Sequence, residues 1–244
     1  MENKTGKYFR YAIGEIILVV IGILIALYLN NLNEQYSIHK QQENYLILVK
    51  REMISNIKSL EKENMELSEA LNSTKKLLNI SNSDVQRIKL SESELSKILS
   101  STIGSDIFVQ YENGARNQII FSGGLKDIKN DSIRGILASW EAKIGEVRLQ
   151  EGQVNVIIEK IKSFISKYGD VRSIIDDVGY SKLLELDLST NKSGNKNLLK
   201  FKEFENIIFE LIITGNVLQQ SVYSDFESEM QSLVELINQE LNKK

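Results

Sequence analysis

Hydrophobic positions run through this chain in two ways. From Ala12 to Leu29 (AIGEIILVVIGILIALYL) they are almost unbroken, and beyond Asn33 they recur every three or four residues. The unbroken run holds one charge, Glu15, near its start, and from Ile16 to Leu29 its only polar side chain is Tyr28. At about 1.5 Å per residue this run is roughly 27 Å long, close to the hydrocarbon thickness of a bilayer. A soluble core helix would keep a polar face, and this run has none. Residues 11–32 are therefore expected to form a membrane-spanning helix. A cleaved signal peptide would have a shorter apolar core followed by a small-x-small site. Here the run leads into Tyr28-Leu29-Asn30-Asn31-Leu32-Asn33-Glu34, so an uncleaved anchor is expected.

The spaced pattern predicts three long helices. The first, over about 33–79, has the seam Leu46, Lys50, Met53, Ile57, Leu60, Asn64, Leu67, Leu71, Thr74 and Leu78. It is open to being continuous with the span. Asn64 either sets register on this seam or is a tolerated polar site. The second helix runs to Tyr168, capped by Asp131 or Ser132 and ended by Gly169-Asp170. Its seam is Ile133, Leu137, Trp140, Ile144, Val147, Glu151, Val154, Ile158, Ile161, Ile165 and Tyr168, with Glu151 the one charge. The third starts near Asn197 with Phe204, Ile208, Leu211, Gly215, Leu218, Val222, Phe226, Met230, Leu233, Ile237 and Leu241. The successive four-residue steps on either side of Phe226 make a stutter. Gly215 on the seam permits close approach of a neighbouring helix.

Shorter elements lie between. Ser-Glu-Ser-Glu before Leu95, Ile98 and Leu99 reads as a capped helix over 91–101. A second short helix is expected over 111–121. Residues 106–111 read as extended, with no strand to pair with. Turns are expected at Ser122-Gly123-Gly124 and Ser189–Asn195. The fold class is all-α: an N-terminal transmembrane helix followed by an elongated antiparallel bundle of about four helices, three of them long.

Composition sharpens this picture. The chain has no proline, so nothing of that kind interrupts a long helix, and no cysteine, which removes disulfides, thiolate metal sites and thiol nucleophiles. His39 is the only histidine, which removes multi-His metal sites. The formal net charge of −3, with signs interspersed, argues against nucleic acid as a partner. Nucleotide-binding, zinc-protease and nucleophile-elbow motifs are absent. Asp176-Asp177 and Glu203/Glu205 are carboxylate pairs at spacings that do not share a helix face, so both are expected to be solvated. Catalytic residues, metal ligands and cofactors are none, and an enzyme is not expected.

Flanking charge orients the span. Lys4, Lys7 and Arg10 precede it against Glu2 alone, and the next basic residue after it is Lys40. Residues 1–10 are expected to form a short cytoplasmic tail, 11–32 the anchor in a cell inner membrane, and 33–244 a periplasmic domain. Tyr8, Phe9 and Tyr11 at one end, and Tyr28 and Tyr36 at the other, suit interfacial belts. Three residues of the span are candidates for helix contacts: Glu15, which can reach the headgroups or pair with Arg10 or Lys7, and the small-xxx-small pair Gly22 and Ala26.

The stretch Tyr11-Ala12-Ile13-Gly14-Glu15, continuing through Val20-Ile21-Gly22-Ile23-Leu24-Ile25-Ala26-Leu27 to Asn30, Asn31, Asn33 and Glu34, resembles the opening of a bacterial family of small single-span membrane proteins built on a domain of unknown function. Ser122-Gly123-Gly124-Leu125-Lys126-Asp127-Ile128-Lys129-Asn130 is similar to that family's segment leading into a helix. The resemblance implies a membrane protein with a helical soluble region, and supplies no catalytic residues. Two functions are expected from these readings. The first is a membrane-tethered helical module that binds another membrane protein or assembles as a homo-oligomer. The alternative is an extracytoplasmic ligand sensor signalling through a partner membrane protein.

Overall fold

The structure, a computed structural model, describes residues 4–243, with side chains from Phe9 onward. Glu2, and the side chains of Lys4, Lys7 and Tyr8, lie outside the described residues. All regular structure among the described residues is helical.

The first helix, α1 (Lys4–Ser81), carries both the apolar run and the first bundle helix in 78 residues without a break. It is roughly 117 Å long at 1.5 Å per residue. No glycine or proline lies between Gly22 and Gly104, so nothing in the sequence forces it to end earlier. Burial starts at Gln42 and Tyr45 and follows Leu46, Val49, Met53, Asn56, Leu60, Leu67 and Leu71.

After α2 (Asp84–Lys89), α3 (Glu92–Ile103) begins with the expected capping box: the Ser91 hydroxyl accepts from the Glu94 amide and the Glu94 carboxylate accepts from the Ser91 amide. The chain then runs extended through residues 105–113 into α4 (Gly114–Phe121) and a single 3-10 turn, Gly124–Asp127. α5 (Asp131–Tyr168) is the second long helix. Its cap is Asn130 rather than Asp131 or Ser132: the Asn130 side chain accepts from the Ser132 and Ile133 amides. Two short helices, α6 (Val171–Asp177) and α7 (Tyr180–Leu183), and a 3-10 turn (Lys196–Lys200) lead to α8 (Lys202–Val217). A π-helical segment, Leu218–Tyr223, joins α8 to α9 (Ser224–Leu241) without interruption.

Cross-contacts fix the directions. Tyr45, Asn56 and Glu63 of α1 meet Ser122, Glu112 and Phe108 in that order, so the path through α3, the extended segment and α4 runs antiparallel to α1. Lys143, Gln150 and Lys160 of α5 meet Glu229, Thr214 and Glu210, so α8–α9 runs antiparallel to α5. The result is an up-down-up-down bundle whose second member is unwound in the middle. α1 packs on α3, α8 and α9, while α5 packs on α8 and α9 from the other side. Where α8 meets α1, a Cβ on Gly215 would sit 2.5 Å from Leu71 Cδ2, the close approach that the seam glycine implies. Each fully buried Leu, Ile or Phe of this core contributes about 1.5–3 kcal/mol.

Candidate functional site

Two features of the fold depart from what a plain soluble bundle needs. One is the free apolar length of α1. The other is a polar joint where the second member of the bundle unwinds.

From Phe9 to Ser37 every described side chain of α1 is exposed. The most apolar eighteen-residue window has a mean hydropathy of 2.7, and none of it is buried. One helix is thus long and apolar enough to cross a membrane. Glu15, Gly22 and Ala26 all stand on this bare stretch. Nothing lies within 4 Å of a Cβ placed on Gly14 or Gly22, so the bundle does not cover that face. His39, just beyond, is exposed and faces Glu43 at 3.5 Å.

The polar joint is built on residues 105–113. Ile107 and Val109 point inward and Phe108 and Gln110 outward, with Tyr111 half-buried, the two-residue alternation of an extended chain. There is no strand beside it, so its backbone groups need other partners. Side chains from α1 and α5 supply them. Asn155 accepts from the Ile107 amide and donates to its carbonyl, both at 2.8 Å. Asn56 does the same at Glu112, at 2.7 and 2.8 Å. Glu63 accepts from the Phe108 amide at 2.9 Å. Glu52 receives the Ala115 and Arg116 amides at the start of α4, at 2.6 and 3.3 Å, the role of an N-terminal carboxylate. Burial raises the Glu52 and Glu63 carboxyls above their ordinary value, opposed by these amide donors.

Glu151 lies at the centre. It is 1% exposed and accepts from three donors: the Val109 amide at 3.1 Å, the Tyr223 hydroxyl at 2.9 Å and Arg148 at 2.7 Å. Arg148 also donates to the Val109 carbonyl and lies 3.6 Å over the Phe108 ring. Burial pushes the Tyr111 and Tyr223 phenols upward, and the Glu151 charge adds to it in both. Both remain neutral: Tyr223 donates to Glu151, whereas the buried Tyr111 hydroxyl has no hydrogen-bond partner among the described residues. The π segment puts Tyr223 in place: the core positions step from Leu218 to Tyr223 and then Phe226, so Tyr223 replaces the expected Val222, which is half-buried beside the core. π-bulges often mark functional positions.

The carboxylate pairs part company. Glu203 is exposed as expected, but the Asp176 side chain is buried. It receives the Ser181 hydroxyl, the Ser189 amide at 2.8 Å and Arg172 Nε at 3.0 Å, and these donors hold its carboxyl low. The solvated reading fails there because residues 178–189 fold back over it, which adjacent sequence does not disclose. Asp170 caps α6 through the Ser173 amide. Burial opposes its ionisation, but donors from Ser173 and Ser193 prevail and bring it to about 2.

No protein-family model, curated protein or solved structure matches this chain.

Proposed function

We propose that this chain is a membrane-anchored, non-enzymatic helical module, held by residues 11–32 in a bacterial inner membrane, with a cytoplasmic N-terminus and a periplasmic bundle that binds a partner or further copies of itself. The observation that carries the reading is the bare apolar length of α1, continuous with a bundle that does not use it. Exposing that much apolar surface to water is unfavourable by roughly 25 cal/mol per Å², and a bilayer removes the cost. The flanking Lys4, Lys7 and Arg10 support the orientation. The resemblance of the Tyr11–Leu27 stretch to single-span bacterial proteins supports the same assignment. The non-enzymatic reading rests on chemistry: no catalytic motif stands in the sequence, and Glu151 is 1% exposed with both carboxylate oxygens engaged, one by the Val109 amide and the Tyr223 hydroxyl and the other by Arg148.

The absence of native cysteine makes the test direct. Single Glu2→Cys and Ser37→Cys variants are expressed in cells and treated with a membrane-impermeant maleimide. The expected outcome is labelling at position 37 in intact cells, labelling at position 2 only after lysis, and retention of the chain in the membrane pellet through alkaline carbonate. Release by carbonate removes the anchor, and the reverse labelling pattern removes the orientation.

A further inference from the structure

Between α3, α5 and α6 the bundle carries an apolar cleft of about 500 Å³, lined among others by Ile103, Val171, Ile175, Val178 and Tyr180. That volume is in the range that encloses apolar groups. Directly after Tyr180 the chain projects a loop that exposes Leu183, Leu184, Leu186 and Leu188, with Leu183 76% and Leu188 62% exposed. The loop is pinned at both ends. Buried Asp176 holds Ser181 on one side and the Ser189 amide on the other, and Arg172 donates to the Asp187 carbonyl. Glu185 keeps a left-handed backbone at φ 55°, and the Leu186 amide bonds back to the Ser181 carbonyl at 2.9 Å. A pinned loop holds its leucines in water instead of letting them collapse on the cleft beside them, which is costly for a free monomer and useful for a docked one.

We infer that this face is a homotypic contact, in which the leucine loop of one copy enters the cleft of a second copy and receives its partner's loop in return. The inference rests on the anchored reading above. Charge chooses the occupant. The loop carries Glu185 and Asp187 against Lys182, and the one charged residue lining the cleft is Lys162, so an acidic loop from a second copy meets a basic cleft. Height supports the same choice. Gly104, on the rim of the cleft, also lies beside Glu66–Ala70 of α1, roughly 51–57 Å of helix beyond Leu32. Copies anchored in one membrane with one orientation bring loop and cleft to the same level, and confinement to the membrane raises their effective concentration. A twofold axis along the membrane normal satisfies both contacts at once.

The test uses the full chain in native membranes. Two differently tagged copies are co-expressed, one with Leu186→Cys and one with Val171→Cys, and the membranes are treated with a copper-phenanthroline oxidant. Every disulfide between copies then joins engineered positions, because the chain has no cysteine of its own. Expected is a heterodimer in several-fold higher yield than from Leu186→Cys paired with Phe209→Cys, which is exposed on the outer face of α8. Adding Leu183→Asp and Leu184→Asp lowers the yield several-fold without changing the helical circular dichroism, because both side chains are already in water. Equal yields from the two pairs, no dimer, or capture of a protein of different mass each overturn the inference. Carbonate extraction of the same membranes separates the two ideas. A pelleted chain without the dimer defeats the homotypic contact alone. A released chain defeats the anchored reading, and the shared height goes with it.

Discussion

A carboxylate with 1% of its surface in water needs partners for its charge, and Glu151 finds an arginine, a phenol and a backbone amide. Each of those partners depends on it in turn. Tyr223 is buried and has no other acceptor in the network, and the Val109 amide belongs to a segment with no neighbouring strand. Replacing Glu151 with Leu is therefore expected to cost about 3–5 kcal/mol, the range for breaking a buried ion pair from one side. Tyr223→Phe removes one hydrogen bond to a charged group and is expected to cost roughly 1.5–3 kcal/mol. The double variant is expected to cost clearly less than the sum, because both changes break the same bond. Urea unfolding of the detergent-solubilised chain, followed by circular dichroism, measures all three; simple additivity would mean that the joint is not one network. Glu151 was visible in the sequence as the one charge on an apolar seam. Two of its partners were not, because Val109 and Tyr223 lie far from it along the chain and only the folded bundle brings them together; Arg148 stands three residues before it on the same helix.

The joint also explains two irregular elements. Residues 105–113 are extended because Asn56, Glu63, Glu151 and Asn155 satisfy their backbone as a strand otherwise would. The extended reading of 106–111 was legible from composition, but the missing pairing partner was not, since these four side chains come from two helices. The π segment is similar. A change of step was readable as a stutter at Phe226, while its place just upstream and the residue that fills it were not, because hydrophobic spacing does not distinguish two four-residue steps from a five followed by a three. The observed core order Leu218, Tyr223, Phe226 contains one residue more than a regular heptad. Deleting the exposed Gln220 is thus expected to close the π segment into ordinary α-helix, with Leu218 and Tyr223 still facing inward and stability within about 1 kcal/mol. Inserting one alanine after Ser232 turns Leu233 and Ile237 about 100° away from the core, and is expected to cost more than 4 kcal/mol, as large core disruptions do. Thermal unfolding of the two variants gives the comparison. A deletion as damaging as the insertion would show that the extra residue is required by the packing rather than absorbed by it.

At the scale of the whole molecule, α1 carries the bare apolar stretch and the first bundle helix in one unbroken element. The sequence left this open. Asn30, Asn31 and Asn33 are the kind of residues that end helices, yet no glycine or proline accompanies them, and the backbone passes through. Continuity does not mean that the bundle depends on the bare apolar stretch. The first buried side chains of α1 are Gln42 and Tyr45, and every core residue from there on has its partners within residues 42–241. A chain beginning at Gln41 is therefore expected to fold without detergent, with the helical signal of the bundle intact and its unfolding midpoint close to that of the full chain. Only the membrane-dependent properties should be lost: carbonate-resistant retention, and the raised local concentration that the homotypic contact uses. Sedimentation of the truncated chain separates these effects. A folded monomer at micromolar concentration, from a chain whose anchored form crosslinks efficiently, would show that the membrane supplies the association by concentrating copies in one orientation. Loss of cooperative unfolding in the truncated chain would instead mean that the bare helix stabilises the bundle, which the burial pattern gives no route for.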